Sequence, residues 1–190
     1  IGYKGKTLNA IQSTINSMLQ KEDNEYVKKV QEYANQENAE VIPVCVKVEE
    51  ELSGLEEADK AEKQAEVFVK ALNRFSLPKI IILPNNDAGS KGVKTAISKY
   101  REGQYHMYAN LKREDYLGLL KNTKCIVGNS SSGLLEAPTF CVPAVNIGRR
   151  QNQRFRGINV IDVPFEEEQI VAAIEKAMSK EFTQYLQEEC

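Results

Sequence analysis

The residues best suited to chemistry cluster between Val127 and Arg156, in the stretch VGNSSSGLLEAPTFCVPAVNIGRRQNQRFR. A short apolar run, Cys125-Ile126-Val127, leads into a small polar loop, Gly128 to Gly133. The two glycines permit close backbone approach, and Asn129, Ser130, Ser131 and Ser132 supply short donors. The loop opens a short helical segment, whose first N–H groups are unpaired and carry partial positive charge. A diphosphate fits such a loop, and so does a serine-rich helix cap that holds no ligand. Glu136 lies inside the helical segment. Its charge opposes phosphate, but it can accept hydrogen bonds from a ribose diol; a plain surface acid is the alternative. Arg149, Arg150, Arg154 and Arg156 follow. Arginine makes bidentate bonds to phosphate, although four of them cannot all serve one ligand. Upstream, Asn85 and Asp87 in PNNDAGS follow an apolar run. They suit a sugar contact or a helix cap, and capping is the better physical fit.

Other chemistries are excluded by what the sequence lacks. His106 is the only histidine and falls within an apolar segment, so neither a His-based triad nor a His-rich metal site can be built. The four cysteines, Cys45, Cys125, Cys141 and Cys190, form no Cys-x-x-Cys pair and read as buried free thiols. Gly5-Lys6-Thr7 resembles the end of a P-loop but lacks the glycine five positions earlier; Thr7 as a helix cap is the better reading. A net charge of -2 argues against broad nucleic-acid or membrane affinity, so any cationic role must be local. No apolar stretch approaches the ~20 residues of a membrane helix. No signal-peptide pattern opens the chain, and a cytoplasmic location is the expectation.

These loops need a scaffold, and the hydrophobic pattern supplies one. At 190 residues the chain suits one domain, or one with an appendage. Helical spacing of apolar residues predicts helices over 7–20 and 23–37, a helix ending near Asn73, and further helices over 88–100, 113–121 and 131–137. Two more are expected, one opening at Glu166 and one over 181–189. Compact apolar runs predict strands at 41–48, 79–83, 105–108, 124–127, 142–147 and 159–163. Alternation of this kind implies a three-layer α/β, Rossmann-like domain with a mainly parallel sheet. Ligands in such folds sit at the carboxyl ends of the strands, where the turns at Asn85, Leu111, Ser130 and Arg149 should gather.

Several separated motifs, in order, carry a family resemblance: PNNDAGS (84–90), NLKREDYLGLLKN (110–122), VGNSSSGLLEAP followed by VPAVNIGRRQ, and NVIDV (159–163). Over about 62–181 the chain resembles the hydrolysing UDP-N-acetylglucosamine 2-epimerases. The resemblance implies one half of a glycosyltransferase-B type fold. It implies conversion of UDP-N-acetylglucosamine and water to N-acetylmannosamine and UDP, by elimination of UDP to a glycal and addition of water. It implies no metal or other cofactor, a UDP or UDP-N-acetylglucosamine ligand, and a place in sialic acid or surface polysaccharide synthesis. Carried over by position, Ser130 and Ser131 hold the diphosphate and Glu136 grips the ribose. Arg150 lies beside the nucleotide, the Leu111 backbone contacts uracil, and Asn85 contacts the ligand. Asp87 matches a position that in animal members helps to bind a feedback inhibitor.

There are departures from the family pattern. The His-Pro strand end expected before the helix of Ala61 to Leu72 is absent, as is the amino-terminal half with its active-site acids and bases. Lys112 replaces a common proline, Ile158 a usual glutamate, and Arg149 a small or acidic residue. Residues 24–60 resemble instead a segment of Obg-like (YchF-type) P-loop ATPases, with Cys45-Val46-Lys47 at the base-reading motif. The expected division is 1–60, helices and a strand packed on or completing the sheet, and 61–190, the UDP-sugar-binding domain. Because the chain begins at Ile1, a fragment, a fusion and a designed chimera all remain open, as does a homo-oligomer. The expected function is the UDP-sugar-binding half of a 2-epimerase, incomplete for catalysis alone. A non-catalytic chimeric scaffold and an Obg-like remnant are the alternatives.

Overall fold

The computed structural model describes residues 42–45, 55–83, 89–100, 105–109 and 111–189. Asn85 and Asp87 lie outside them, as do the helices expected over 7–20 and 23–37. Among the described residues, six short strands form one sheet: β1 (Ile42–Cys45), β2 (Lys79–Ile82), β3 (Tyr105–Tyr108), β4 (Ile126–Gly128), β5 (Ala144–Ile147) and β6 (Val160–Val163). Every pairing is parallel, in the order β3-β2-β1-β4-β5-β6. The chain winds outward from β1 through helix α1 (Leu55–Asn73), β2, helix α2 (Gly89–Tyr100) and β3. Helix α3 (Arg113–Lys121) then carries it back to β4, on the other side of β1. Winding therefore reverses between β1 and β4, and reversal points of this kind leave a crevice at the carboxyl ends of the strands.

Strand side chains alternate between the two faces, because the period of a strand is two. Ile81, Val127, Val145 and Ile147 join Phe68 and Leu72 of α1, Ile97 of α2, and Ile170 and Ile174 of helix α5 (Glu167–Met178) in the large core. Their neighbours Ile80, Ile126 and Ala144 face the opposite way and enter two smaller clusters with Leu119 and Leu120 of α3. The layers are thus α1, α2 and α5 on one face, and α3 with the short segments after β4 on the other. This is a three-layer, Rossmann-like α/β domain, as the alternation of elements predicts. β5 is buried throughout, which explains its unbroken apolar reading apart from Asn146. Lys79 is buried as well; its Nζ donates to Phe75 O and lies 5.2 Å from the centre of the Tyr105 ring.

Two expectations about the first third of the chain can be set beside the fold. The boundary at 60/61 falls inside α1, which runs unbroken from Leu55 to Asn73. β1 pairs with β2 on one side and β4 on the other, so the strand lies at the centre of the sheet. The charge-dense run before Lys63 is helical from Leu55 onward.

Helix α6 (Lys180–Glu189) closes the chain and buries Leu186 against the domain. On the α3 face, a polar residue ties the short segments together. Asn159, fully buried before β6, donates from Nδ2 to Gly133 O (3.1 Å) and Val142 O (3.0 Å), while its own carbonyl accepts from Ala144 N (2.8 Å). A side chain at Gly157 would meet Asn159 Oδ1 at 2.7 Å, so the glycine keeps this space open. Asn159→Ala strands two buried carbonyls and should cost about 2 kcal/mol. It should lower the urea midpoint, whereas Asn152→Ala on the exposed loop should leave the midpoint within error.

Candidate functional site

β4 ends at Gly128, whose φ of 143° only glycine adopts readily. The chain then turns through buried Asn129 to Ser130 and Ser131 at the reversal point of the sheet. The two serines do different things. Ser130 Oγ accepts from Ser132 N at 3.3 Å and so caps the next turn. Ser131 occupies the N-cap position but makes no side-chain cap bond. Among the described residues its hydroxyl has no partner, and neither do the N–H groups of Ser130 and Ser131. These groups sit beside a small crevice lined by Gly128, Ser130, Gly133 and Asn146.

The helix after this loop is shorter than the sequence predicts. Helix α4 spans only Ser132–Leu135, not 131–137, and the chain goes on as a 3-10 turn, Ala137–Phe140. Pro138 has no N–H to continue an α-helical ladder. Cys141, at φ 52°, ends the turn and redirects the chain toward β5. A single helical turn has little macrodipole, so anion attraction here rests on the loop's own N–H and O–H groups.

Glu136, just past α4, is held at both oxygens. Arg113 Nη2, at the start of α3, lies 2.9 Å from Oε1. Ser132 Oγ donates to Oε2 at 2.5 Å, and the Tyr116 hydroxyl is bonded to Ser132 Oγ. Arg113 comes two residues after Leu111, so this ion pair ties the loop following β3 to the segment following β4. Leu111 itself is half-buried against Ile80 and Leu119.

A second tie joins the loops after β4 and β5. Gln151 is buried, and its Nε2 donates to Asn129 O at 2.8 Å. Asn129 Oδ1 and Gln151 Oε1 are buried without a partner among the described residues. The arginine cluster divides accordingly. Arg156 is structural: it donates to Gln151 O, to Arg154 O (2.7 Å) and from Nε to Asp162 Oδ2 (2.8 Å). Arg149, Arg150 and Arg154 are exposed, and the Arg150 guanidinium has no partner among the described residues. The loop leaves β5 through Gly148, at φ 78°, where a Cβ would meet Phe165 Cε2 at 2.6 Å.

The structure therefore gathers Leu111, Ser130, Ser131, Glu136 and Arg150 on loops at the carboxyl edge of one sheet. Sequence reasoning missed Arg113, Tyr116, Ser132 and Gln151 as partners of these residues. The four-residue spacing of Ser132 and Glu136 was a usable signal; the contacts of Arg113 and Tyr116 to them cross between helices and left none. Burial pushes the Cys125 thiol up to about 12, so it is not poised as a nucleophile. Cys141 is half-buried and unbridged. Among the described residues no cluster of three or more metal-ligating side chains occurs, and no helix is long and apolar enough to cross a membrane.

The Arg156 clamp carries a pH signature. Burial works to raise the Asp162 pKa, but hydrogen bonds from Arg156 and Asn146, with the Arg156 charge, outweigh it and hold the carboxyl below its ordinary range. Folding stability from this group is therefore complete above about pH 4 and is lost as the pH falls through the lower folded value. Asp162 is half-exposed, so the effect should be under ~1 kcal/mol. Urea midpoints measured between pH 5 and pH 3 should fall less steeply in Asp162→Asn than in the parent; identical slopes would show that the clamp is not felt.

Known proteins give this geometry a context. The chain is similar to the UDP-N-acetylglucosamine 2-epimerase of Neisseria meningitidis serogroup B, 36% identical over 65% of this chain and 33% of that protein. It is similar to the hydrolysing UDP-N,N'-diacetylbacillosamine 2-epimerase of Legionella pneumophila, 32% identical over 69% of this chain and 35% of that protein. The chain thus spans about a third of the length of these curated relatives. In fold it matches the crystal structure of UDP-GlcNAc 2-epimerase from N. meningitidis bound to UDP-GlcNAc, with a TM-score of 0.68 and 16% identity, over 93% of this chain and 47% of that one. The family model described as UDP-N-acetylglucosamine 2-epimerase matches residues 52–189, well over half of the sequence, and the chain belongs to that family.

Proposed function

We propose that this chain is the UDP-sugar-binding half of a hydrolysing UDP-N-acetylglucosamine 2-epimerase, which converts UDP-N-acetylglucosamine and water to N-acetylmannosamine and UDP. The observation that carries the reading is the polar loop Asn129–Ser131 at the sheet's reversal point, with a hydroxyl and N–H groups that have no partner among the described residues. Family membership supports it, as do relatives whose names include a hydrolysing 2-epimerase and a polysialic acid biosynthesis protein.

In this reading the ligand lies across the strand ends. Uracil meets the backbone at Leu111, the ribose meets Glu136, and the diphosphate meets Ser131 and the N–H groups beside Ser130. Arg150 closes on the nucleotide from the loop after β5. The order follows the ties described above, since Arg113 brings the Leu111 loop toward Glu136 and Gln151 brings Arg150's loop toward Asn129. Asn85 is a further ligand contact and Asp87 a sugar or regulatory contact; both lie outside the described residues. The chain binds the leaving UDP, while the acids and bases that the family resemblance assigns to an amino-terminal half are not among these 190 residues. The alternative reading is a non-catalytic chimeric scaffold that keeps the fold and weak UDP binding. No described feature favours nucleotide hydrolysis by the segment 24–60.

UDP should raise the melting temperature of the chain, and ATP or GTP at the same concentration should not. Ser131→Ala and Arg150→Ala should each reduce the UDP shift, corresponding to about 1–3 kcal/mol of lost binding for a bond to a charged group. A flat response to millimolar UDP would sink the reading. Robust release of UDP from UDP-N-acetylglucosamine by this chain alone would sink the claim that it is incomplete.

A further inference from the structure

Two side chains hold Glu136, each at one carboxylate oxygen. An ionised carboxylate only accepts, and its two oxygens offer about four acceptor positions. Arg113 Nη2 takes one on Oε1 at 2.9 Å, and Ser132 Oγ takes one on Oε2 at 2.5 Å. Because Ser132 must donate to the carboxylate, its oxygen is the acceptor for the Tyr116 hydroxyl, which fixes the direction of the whole chain of bonds. Among the described residues, one acceptor position is left on each oxygen. Two neighbouring acceptors on one rigid group match the two hydroxyls of a vicinal diol. Arg113 and Tyr116 are three residues apart on α3, hence on one face of the helix, and both reach the segment after β4 from there.

We infer that Arg113 and the Tyr116–Ser132 pair are positioning residues that aim the Glu136 carboxylate at both hydroxyls of a ribose, and so set a preference for ribonucleotides over 2′-deoxyribonucleotides. The inference rests on the UDP reading of this site. Arg113 has a second task that Tyr116 and Ser132 do not share. Its guanidinium offsets the Glu136 charge, which would otherwise repel a diphosphate on the adjacent loop. The two tasks separate experimentally. A ligand that lacks one hydroxyl leaves one aimed acceptor unpaired, and a site built to hydrogen-bond a hydroxyl discriminates strongly against its loss.

The test is calorimetric titration of the 190-residue chain with UDP, 2′-deoxy-UDP and inorganic diphosphate at fixed salt. The parent should bind UDP roughly tenfold more tightly than 2′-deoxy-UDP, the size of one hydrogen bond to a charged group. Tyr116→Phe and Ser132→Ala should bring that ratio toward one, with diphosphate affinity held within about twofold. Arg113→Gln should weaken all three ligands, most at low salt, and Arg113→Lys should restore diphosphate binding. If Tyr116→Phe keeps the parental ratio, or weakens all three ligands alike as a merely structural change would, the inference is wrong. If the parent binds UDP and 2′-deoxy-UDP equally, the UDP reading survives and the inference falls. If the parent binds no UDP, both fall together.

Discussion

The pairing of β1 with β4 is the constraint from which the site follows. A parallel sheet cannot be closed by tight turns, so each strand returns through a crossover. Two strands, β2 and β3, wind to one side of β1, and the chain must then cross back to start β4 on the other. Neighbouring loops diverge at that seam, and space is left above the strand ends. The polar loop after β4 emerges into this space. The serines stand beside this space because of where the strand order reverses, not because of any property of the serine run itself. The register Cys45↔Gly128 sets how far β4 rises before it turns, and hence how high the loop stands.

Loops around such a seam would splay if nothing joined them. Here the joining is polar and sparse: an ion pair from α3 to Glu136, and an amide from Gln151 to the Asn129 carbonyl. Each links segments that are far apart in sequence, so neither is local chemistry. Arg156 makes the same point inside one loop. It carries a charge that in sequence looks available for phosphate, yet its donors are used on Asp162 and on the backbone of its own loop. Its contribution is to hold the shape from which Arg150 projects.

Much of this was legible in the sequence, and the divide between what was and was not has a physical basis. Strands and helices with strong periodicity, such as 79–82, 105–108 and 113–121, fall where apolar spacing puts them, because burial on two faces of a sheet leaves little choice. The helix after Ser131 was over-read, since Pro138 removes an N–H and turns α-helix into a 3-10 turn. The strand at Ile42–Cys45 is legible as a strand, but a short apolar run gives no sign of being central or at an edge until its partners are known. In the site, residue types marked the serine loop, Glu136 and the arginine cluster as candidates, and the family resemblance singled out Ser130, Ser131, Glu136 and Arg150 among them. What periodicity and spacing could not supply was which side chains were already spoken for. Asn159 shows the limit most clearly, for a lone asparagine before a strand gives no hint that it bonds two carbonyls, 17 and 26 residues upstream of it.

The two faces of the sheet are not equal partners. The α1, α2 and α5 side holds one continuous apolar core, while the α3 side is divided into two small clusters bridged by polar contacts. The thinner layer is the one that carries Glu136 and its supports. Its local opening free energy should therefore lie below that of the whole domain, so that amides of α3 and the segments after β4 exchange with solvent by partial unfolding while α5 waits for global unfolding. A ligand seated on the strand ends would then spend part of its binding energy on ordering this layer. Measured affinity would report the stiffness of one face of the protein as much as the quality of its contacts.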